Sequence, residues 1–187
     1  MGQISVSVGS EAKASAGAAG DAHTLRHAFL ESMASNSTSV SVVTTSDGER
    51  PVGVTISACT SVSADPPTLL VCINRRSPAH AAVSANGVFA VNLLNVAQRG
   101  IADTFAGRSN SNKPFDFSCC TVTHGTHCAP LIDEAVASLE CVLIAQQDIG
   151  THTVFFGEVK GIRLGAPSPL LYCRRDYGRF EAFKESV

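Results

Sequence analysis

The period of apolar and polar positions changes several times along the chain. Leu25, Phe29, Leu30 and Met33 recur at helical spacing, and Asp21 is a good cap for a helix running to about Ala34. From Val40 the pattern turns strand-like. Val40, Val42 and Val43 lead to the hairpin signal Ser46-Asp47-Gly48, and Pro51 to Ile56 is the returning strand. Ala64-Asp65-Pro66-Pro67 reads as a loop, because prolines cannot pair centrally in a sheet. Thr68 to Ile73 is a buried apolar strand. Ser77-Pro78 opens a second helix, with Ser as cap and Pro at the first helical position, and Asn86-Gly87 closes it. Val88 to Leu94 is a strand, residues near 96–106 form a short helix, and Phe115 to Val122 alternates loosely as an edge strand. Ala135 to Gln146 and Thr153 to Leu164 are long β-rich runs joined by the turn Asp148-Ile149-Gly150-Thr151. Leu170 to Cys173 is a last short strand. About seven strands against two or three short helices, without βαβ alternation, predict an antiparallel barrel.

Composition narrows the class. At 187 residues and 19.4 kDa the chain is one large domain in size. Residues 1–20 are rich in Gly, Ala and Ser and lack the basic start and apolar stretch of a signal peptide. They are expected to be a disordered tail, leaving 21–187 as the domain, with a cytoplasmic location by default. A net charge of −2 and a pI near 6.3 exclude a strongly basic nucleic-acid binder. No apolar run approaches the roughly 20 residues of a membrane helix. With no Trp and only 2 Tyr, an aromatic stacking platform is not expected. The seven cysteines are odd in number and several lie inside apolar runs. They read as reduced, buried packing residues rather than a disulfide frame.

Four constellations carry candidate chemistry. In Asn74-Arg75-Arg76-Ser77-Pro78-Ala79-His80 a strand ends, two arginines follow and a helix begins. Free backbone N–H groups and the helix dipole would join the arginines as an anion or phosphate site. The alternative is an ordinary capped helix with solvated arginines. From Thr55 to Ser63, hydroxyls alternate with small or apolar residues, so that in a strand Thr55, Ser57 and Cys59 share one face. That row suits a phosphate or the polar edge of a ring, or is simply a polar edge strand. His152, in the turn Gly150-Thr151-His152, is either a substrate ligand near a barrel mouth or an exposed structural histidine. Cys119, Cys120, His124, His127 and Cys128 place five potential zinc ligands within ten residues, but adjacent cysteines in a strand point to opposite faces and the spacing fits no common finger.

Together these pieces resemble the short-chain flavin reductase family, with its FMN-binding split barrel. The resemblance runs from about Phe29 to Phe180. It rests on Val52-Gly53-Val54-Thr55, Thr60-Ser61-Val62-Ser63-Ala64-Asp65-Pro66-Pro67, Asn74-Arg75-Arg76-Ser77 and Phe89-Ala90-Val91-Asn92-Leu93-Leu94. It continues through Ile101-Ala102-Asp103-Thr104-Phe105-Ala106, Gly150-Thr151-His152 with the strand to Val159, and Pro169-Leu170-Leu171-Tyr172. It is most similar to the reductase components of two-component aromatic (phenol or chlorophenol) monooxygenases. The resemblance implies a mainly β, antiparallel Greek-key split barrel and a homodimer. It also implies that NADH reduces free FAD or FMN, which then passes to a separate monooxygenase. The strand with Thr55 and Ser57 would contact the flavin phosphate or ribityl chain. Cys59, Thr60, Ser61, Val62 and Ser63 would lie along the ring, with Ala58 before them also among the cofactor-binding residues. Asn74, Arg75, Ser77 and His80 would hold the phosphate end, and His152 would position the nicotinamide. Tyr177 and Phe180, after the last strand, are expected to border the same pocket. Thr151 departs from the family's usual Asp. Rival readings are a non-catalytic flavin-binding module, a pyridoxamine-phosphate oxidase-like enzyme, and a zinc-stabilised interaction protein.

Overall fold

The computed structural model describes residues 18–108, 113–165 and 167–183. They fall into two units, one ending at Asn36 and one beginning at Ser37. The first carries helix α1 (Ala18–Ala34). It is already helical at Ala18, so Asp21 stands in the first turn instead of capping it, where a carboxylate suits the positive end of the helix. Three residues of the predicted tail are therefore helical; the rest of that tail lies outside the described residues. Leu25, Phe29, Leu30 and Met33 are all exposed.

The second unit is built on strands. A short β1 (Thr38–Ser39) precedes β2 (Ser41–Ser46), β3 (Pro51–Ile56), β4 (Cys59–Ala64) and β5 (Pro67–Asn74). Helix α2 (Pro78–Asn86) leads to β6 (Val88–Leu93) and, after a 3₁₀ turn, α3 (Arg99–Phe105). Then come β7 (Val122–His124), β8 (Pro130–Ile132), the long hairpin β9 (Ala137–Ile149) and β10 (His152–Leu164), and a terminal pair, β11 (Leu170–Cys173) and β12 (Asp176–Arg179).

Seven strands form one sheet in the order β3-β2-β6-β9-β10-β5-β4, every pair antiparallel. β3 and β4 lie at opposite edges of that sheet, yet only Ser57 and Ala58 separate them in sequence. Two residues span too little distance to cross an open sheet, so the sheet must curl until its edges meet. The Cys72 N–H donates to the Ala58 carbonyl at 3.1 Å, which extends the β4–β5 pairing into the link. The interior is filled by Val43, Val71, Ile73, Phe89, Val91, Cys141 and Phe155. A second apolar cluster on the outer face of β2 packs Val40 and Val42 against Leu94, Phe105, Ile132 and Leu170. β2 is thus buried on both faces.

Two local choices hold this arrangement. At a register shift in β10, a Cβ on Gly157 would stand 2.5 Å from the Phe89 ring, so only glycine lets that ring fill the barrel. Asn92 is fully buried and completely bonded. Its amide donates to the Val42 carbonyl (3.1 Å) and Thr44 Oγ1 (3.0 Å), and its Oδ1 accepts from the Ile132 N–H (2.9 Å). One side chain therefore ties β2, β6 and β8 together. Among the described residues no helix is long and apolar enough to cross a membrane.

Several expectations are corrected. The hydroxyl-rich run from Thr55 to Ser63 is not one strand: it breaks at Ser57-Ala58, because closure turns the chain there. Phe115 to Val122 is not an edge strand. Phe115 takes a positive φ of 61°, Asp116 accepts from the Ser118 N–H, and a 3₁₀ turn at Phe117–Cys119 lays Phe117 edge-on to Phe105, 4.7 Å between ring centres. Cys119 and Cys128 are exposed rather than buried. β12 was not anticipated; it follows a two-residue turn at Arg174 and Arg175, both at positive φ.

Replacing Asn92 by Ala leaves the Ile132 N–H and the Val42 carbonyl buried without their partner. Asn92→Ala should lose about 2–4 kcal/mol, read as a lower urea midpoint at unchanged slope. A loss under about 0.5 kcal/mol would show that the cross-link does not matter.

Candidate functional site

The site begins where β5 ends. Asn74 is the cross-strand partner of His152, so the first residues of α2 and the β9–β10 turn lie at one end of the barrel. The Arg75 N–H donates to the Thr151 carbonyl at 3.0 Å, and the Arg75 guanidinium stands 3.4 Å from Asp148 Oδ2. Asn74 stabilises the turn, its Oδ1 accepting from the Arg76 N–H and its carbonyl from the Ser77 N–H, both at 2.9 Å. Ser77 then caps α2 through its Oγ, accepting from the Ala79 N–H at 3.3 Å, and its carbonyl accepts from the His80 N–H at 3.1 Å. The expectation of free backbone donors is therefore corrected: the N–H groups of residues 75–77, 79 and 80 are all spent inside the protein, and Pro78 has none. What remains to attract an anion is Arg75, the exposed Arg76 and the dipole of α2.

Histidines flank this point. His80 Nε2 lies 2.7 Å from Thr153 Oγ1, and its ring meets Phe155 edge-on at 5.5 Å. His152 is exposed, with Nδ1 2.9 Å from Thr151 Oγ1. The structure thus brings together Asn74, Arg75, Ser77, His80 and His152.

β4 supplies a second surface. It is an edge strand with β5 as its sheet neighbour, and Thr60, Ser61, Val62 and Ser63 are all exposed. An edge strand directs alternate backbone groups outward, and small side chains let a planar ring approach them. The Ser63 hydroxyl is engaged by the Asp65 backbone, donating to its carbonyl (2.9 Å) and accepting from its N–H (3.0 Å). Ser57 and Ala58 are exposed in the seam. Cys59 packs against the barrel core instead; burial, helped by Cys72, pushes its thiol pKa up to about 11.

Thr55 belongs to a different cluster. Its hydroxyl donates to the Ala102 carbonyl at 2.7 Å, and it borders a cavity of about 110 Å³ with Ser57, Arg108, Tyr172 and Tyr177. Tyr177 lies within β12, donates to Asp103 Oδ1 at 2.9 Å, and is pushed up to about 12 by burial and that hydrogen bond. The Arg108 guanidinium reaches both tyrosine oxygens at 3.5 Å. Phe180 follows β12 and is exposed. Sequence reasoning missed Asp148, Thr153 and Arg108. It also missed a larger cavity of about 500 Å³ beside Pro78, walled by Pro51, Val52, Phe115 and Phe117. Of the cysteine and histidine run at 119–128, no three His, Cys, Asp or Glu side chains converge on a metal position among the described residues.

Residues 33–181 match the model of the flavin reductase like domain. The chain belongs to this family. It is 34% identical over 154 residues to the FMN reductase (NADH) RutF of Stutzerimonas stutzeri, covering 82% of this chain and 87% of that one. It is 36% identical over 150 residues to the 4-hydroxyphenylacetate 3-monooxygenase reductase component of Escherichia coli, covering 80% and 88%. Among solved structures it superposes on the flavin reductase PheA2 with a TM-score of 0.76 at 29% identity, covering 83% of this chain and 98% of that one. It superposes on the NADH:FAD oxidoreductase SgcE6 of Streptomyces globisporus, solved with NAD and FAD fragments, with a TM-score of 0.74 at 34% identity, covering 83% and 93%. The split barrel of this flavin reductase-like domain is that of its structural neighbours.

The buried thiols and Tyr177 give the domain a pH dependence of defined sign. Burial raises Cys59 to about 11 and Cys141 to about 12, from 9.0. The folded state then holds protons that the unfolded state releases above pH 9, so stability is intact below pH 9 and falls as pH rises toward 11–12. The urea midpoint should stay level from about pH 7 to 8.5 and decline above about 9. The Cys59→Ala, Cys141→Ala double variant should decline less steeply; an equal decline would remove these thiols as the cause.

Proposed function

We propose that this chain is an NADH:flavin oxidoreductase that reduces free FAD or FMN and releases the reduced flavin to a separate monooxygenase acting on aromatic compounds. The observation that carries this is the meeting of the Arg75–His80 segment with the His152 turn at one barrel end, beside the exposed edge β4. Support comes from relatives named as NADH-dependent FMN reductases and as monooxygenase reductase components.

The donor set fits a flavin. Arg75, Arg76 and the α2 dipole suit a phosphate, while the exposed β4 edge offers backbone groups and small hydroxyls to a flat, polar-edged ring. When bound, the flavin accepts a hydride from NADH; that chemistry belongs to the two nucleotides. The chain supplies position. Arg75 and Ser77 fix the segment that faces the phosphate. β4 from Thr60 to Ser63 would turn unpaired backbone groups of its open edge toward the ring, where N–H donors would stabilise negative charge on a reduced flavin. Thr151 restrains His152 through Nδ1, which leaves Nε2 to orient the nicotinamide carboxamide. Thr151 meets His152 through a hydroxyl, which adds no negative charge beside the ring.

We also propose a homodimer. Ile144, Ile162 and Leu164 on the β9–β10 hairpin are exposed apolar side chains of the kind a second subunit covers.

Purified protein should oxidise NADH only when FAD, FMN or riboflavin is added. His152→Ala should raise the KM for NADH about ten-fold while leaving the flavin KM within about two-fold. Absence of flavin-dependent NADH oxidation in the unmodified protein sinks the proposal. Flavin that stays bound on dilution without NADH consumption would instead favour a non-catalytic flavin module. Light scattering should give a mass near twice 19.4 kDa.

A further inference from the structure

A hydrogen-bonded chain runs behind the α2 segment and joins Arg75 and His80 through Asp148 and Thr153. Thr153 is fully buried in β10. Its hydroxyl is 2.5 Å from Asp148 Oδ1 and 2.7 Å from His80 Nε2. Asp148 Oδ2 in turn faces the Arg75 guanidinium at 3.4 Å. The carboxylate only accepts, so Thr153 must give Asp148 its single proton. A threonine hydroxyl that has spent its proton can only accept from its other neighbour. His80 therefore donates from Nε2, and its neutral tautomer is fixed with the proton on Nε2 and the lone pair on Nδ1.

We propose that Thr153 and Asp148 are positioning residues: Thr153 holds His80 in the Nε2–H tautomer and fixes the Asp148 carboxylate, and Asp148 aligns Arg75, whose guanidinium sets the preference for flavins bearing a 5′-phosphate. The inference rests on the proposed flavin site. Two features give it weight. The chain links the two segments that meet at the barrel end: Asp148 and Thr153 flank the β9–β10 turn, and Arg75 and His80 flank the start of α2. And its central atom is buried, where a hydroxyl is confined to one proton arrangement. The Arg75–Asp148 contact is exposed and by itself contributes little, so its alignment depends on the bond from the buried Thr153 hydroxyl that fixes the carboxylate.

The test uses Thr153→Val, which keeps the β-branched shape and removes the hydroxyl, Asp148→Ala, and Thr153→Ser as the rescue. Binding of FMN and of riboflavin is measured by quenching of flavin fluorescence, independently of turnover. Histidine tautomers are read by ¹⁵N NMR on the flavin-free protein. His80 should show the Nε2–H pattern in the unmodified protein and in Thr153→Ser, and lose it in Thr153→Val. The ratio of riboflavin Kd to FMN Kd should fall at least about five-fold in Thr153→Val and Asp148→Ala through weaker FMN binding, with riboflavin within about two-fold, and should be kept in Thr153→Ser. An Nδ1–H tautomer for His80 in the unmodified protein overturns the inference. So does an unchanged ratio in both variants, or an equal loss for both flavins together with a lower Tm, which marks a purely structural role. If the unmodified protein binds neither flavin, the proposed function fails, and with it the phosphate preference; the NMR result still decides the tautomer.

Discussion

The two-residue link at Ser57-Ala58 constrains the whole barrel. It joins strands at opposite edges of a seven-stranded sheet, and no open sheet satisfies it. Once the edges meet, the interior must be filled from every side. β2, β6, β9, β10 and β5 all contribute apolar residues to one cluster, and Gly157 is required where the Phe89 ring crosses it. The same closure leaves β4 as an exposed margin beside the seam. Folding geometry and the proposed ligand surface are thus two results of one short connection: the strand left at the sheet edge is the one with backbone groups to offer.

Backbone satisfaction decides what the proposed anion site has to offer. A strand-to-helix turn of this kind commonly offers free N–H groups to phosphate. Here Asn74 and Ser77 consume them, and Thr151 takes the one from Arg75. The turn is internally bonded, and the attraction for charge passes to exposed guanidiniums. That shift puts weight on whatever orients those side chains, which is why a carboxylate on the neighbouring hairpin matters more than its exposed position suggests.

Local signals were legible in the sequence and non-local ones were not. Ser77-Pro78 and Asn86-Gly87 mark the ends of α2 because cap, N1 proline and left-handed glycine act within a few residues; Gly87 has φ 69°. Asp148 to Thr151 marks its hairpin for the same reason. The Arg174-Arg175 turn escaped because both residues take the positive φ that usually announces itself as Asn-Gly. Phe115 to Val122 alternates like a strand, yet the pull of Phe117 toward Phe105 decides its shape. The His80–Thr153 bond joins residues 73 apart, and no spacing rule reaches that far. Among the candidate site residues, Asn74, Arg75, Ser77, His80 and His152 assemble, whereas Thr55 and Tyr177 gather around Arg108, an arginine with no local motif to expose it.

The composition of this surface bears on what it does with a flavin. Its charged contacts are exposed, and such pairs contribute about 0–1 kcal/mol each. The sequence has no Trp, and β4 presents hydroxyls and one valine rather than aromatic faces. A tightly held flavin would serve an enzyme that completes its chemistry in place. A site made of an open edge and solvated arginines serves transfer, because the bonds that admit the oxidised ring are weak enough to release the reduced one.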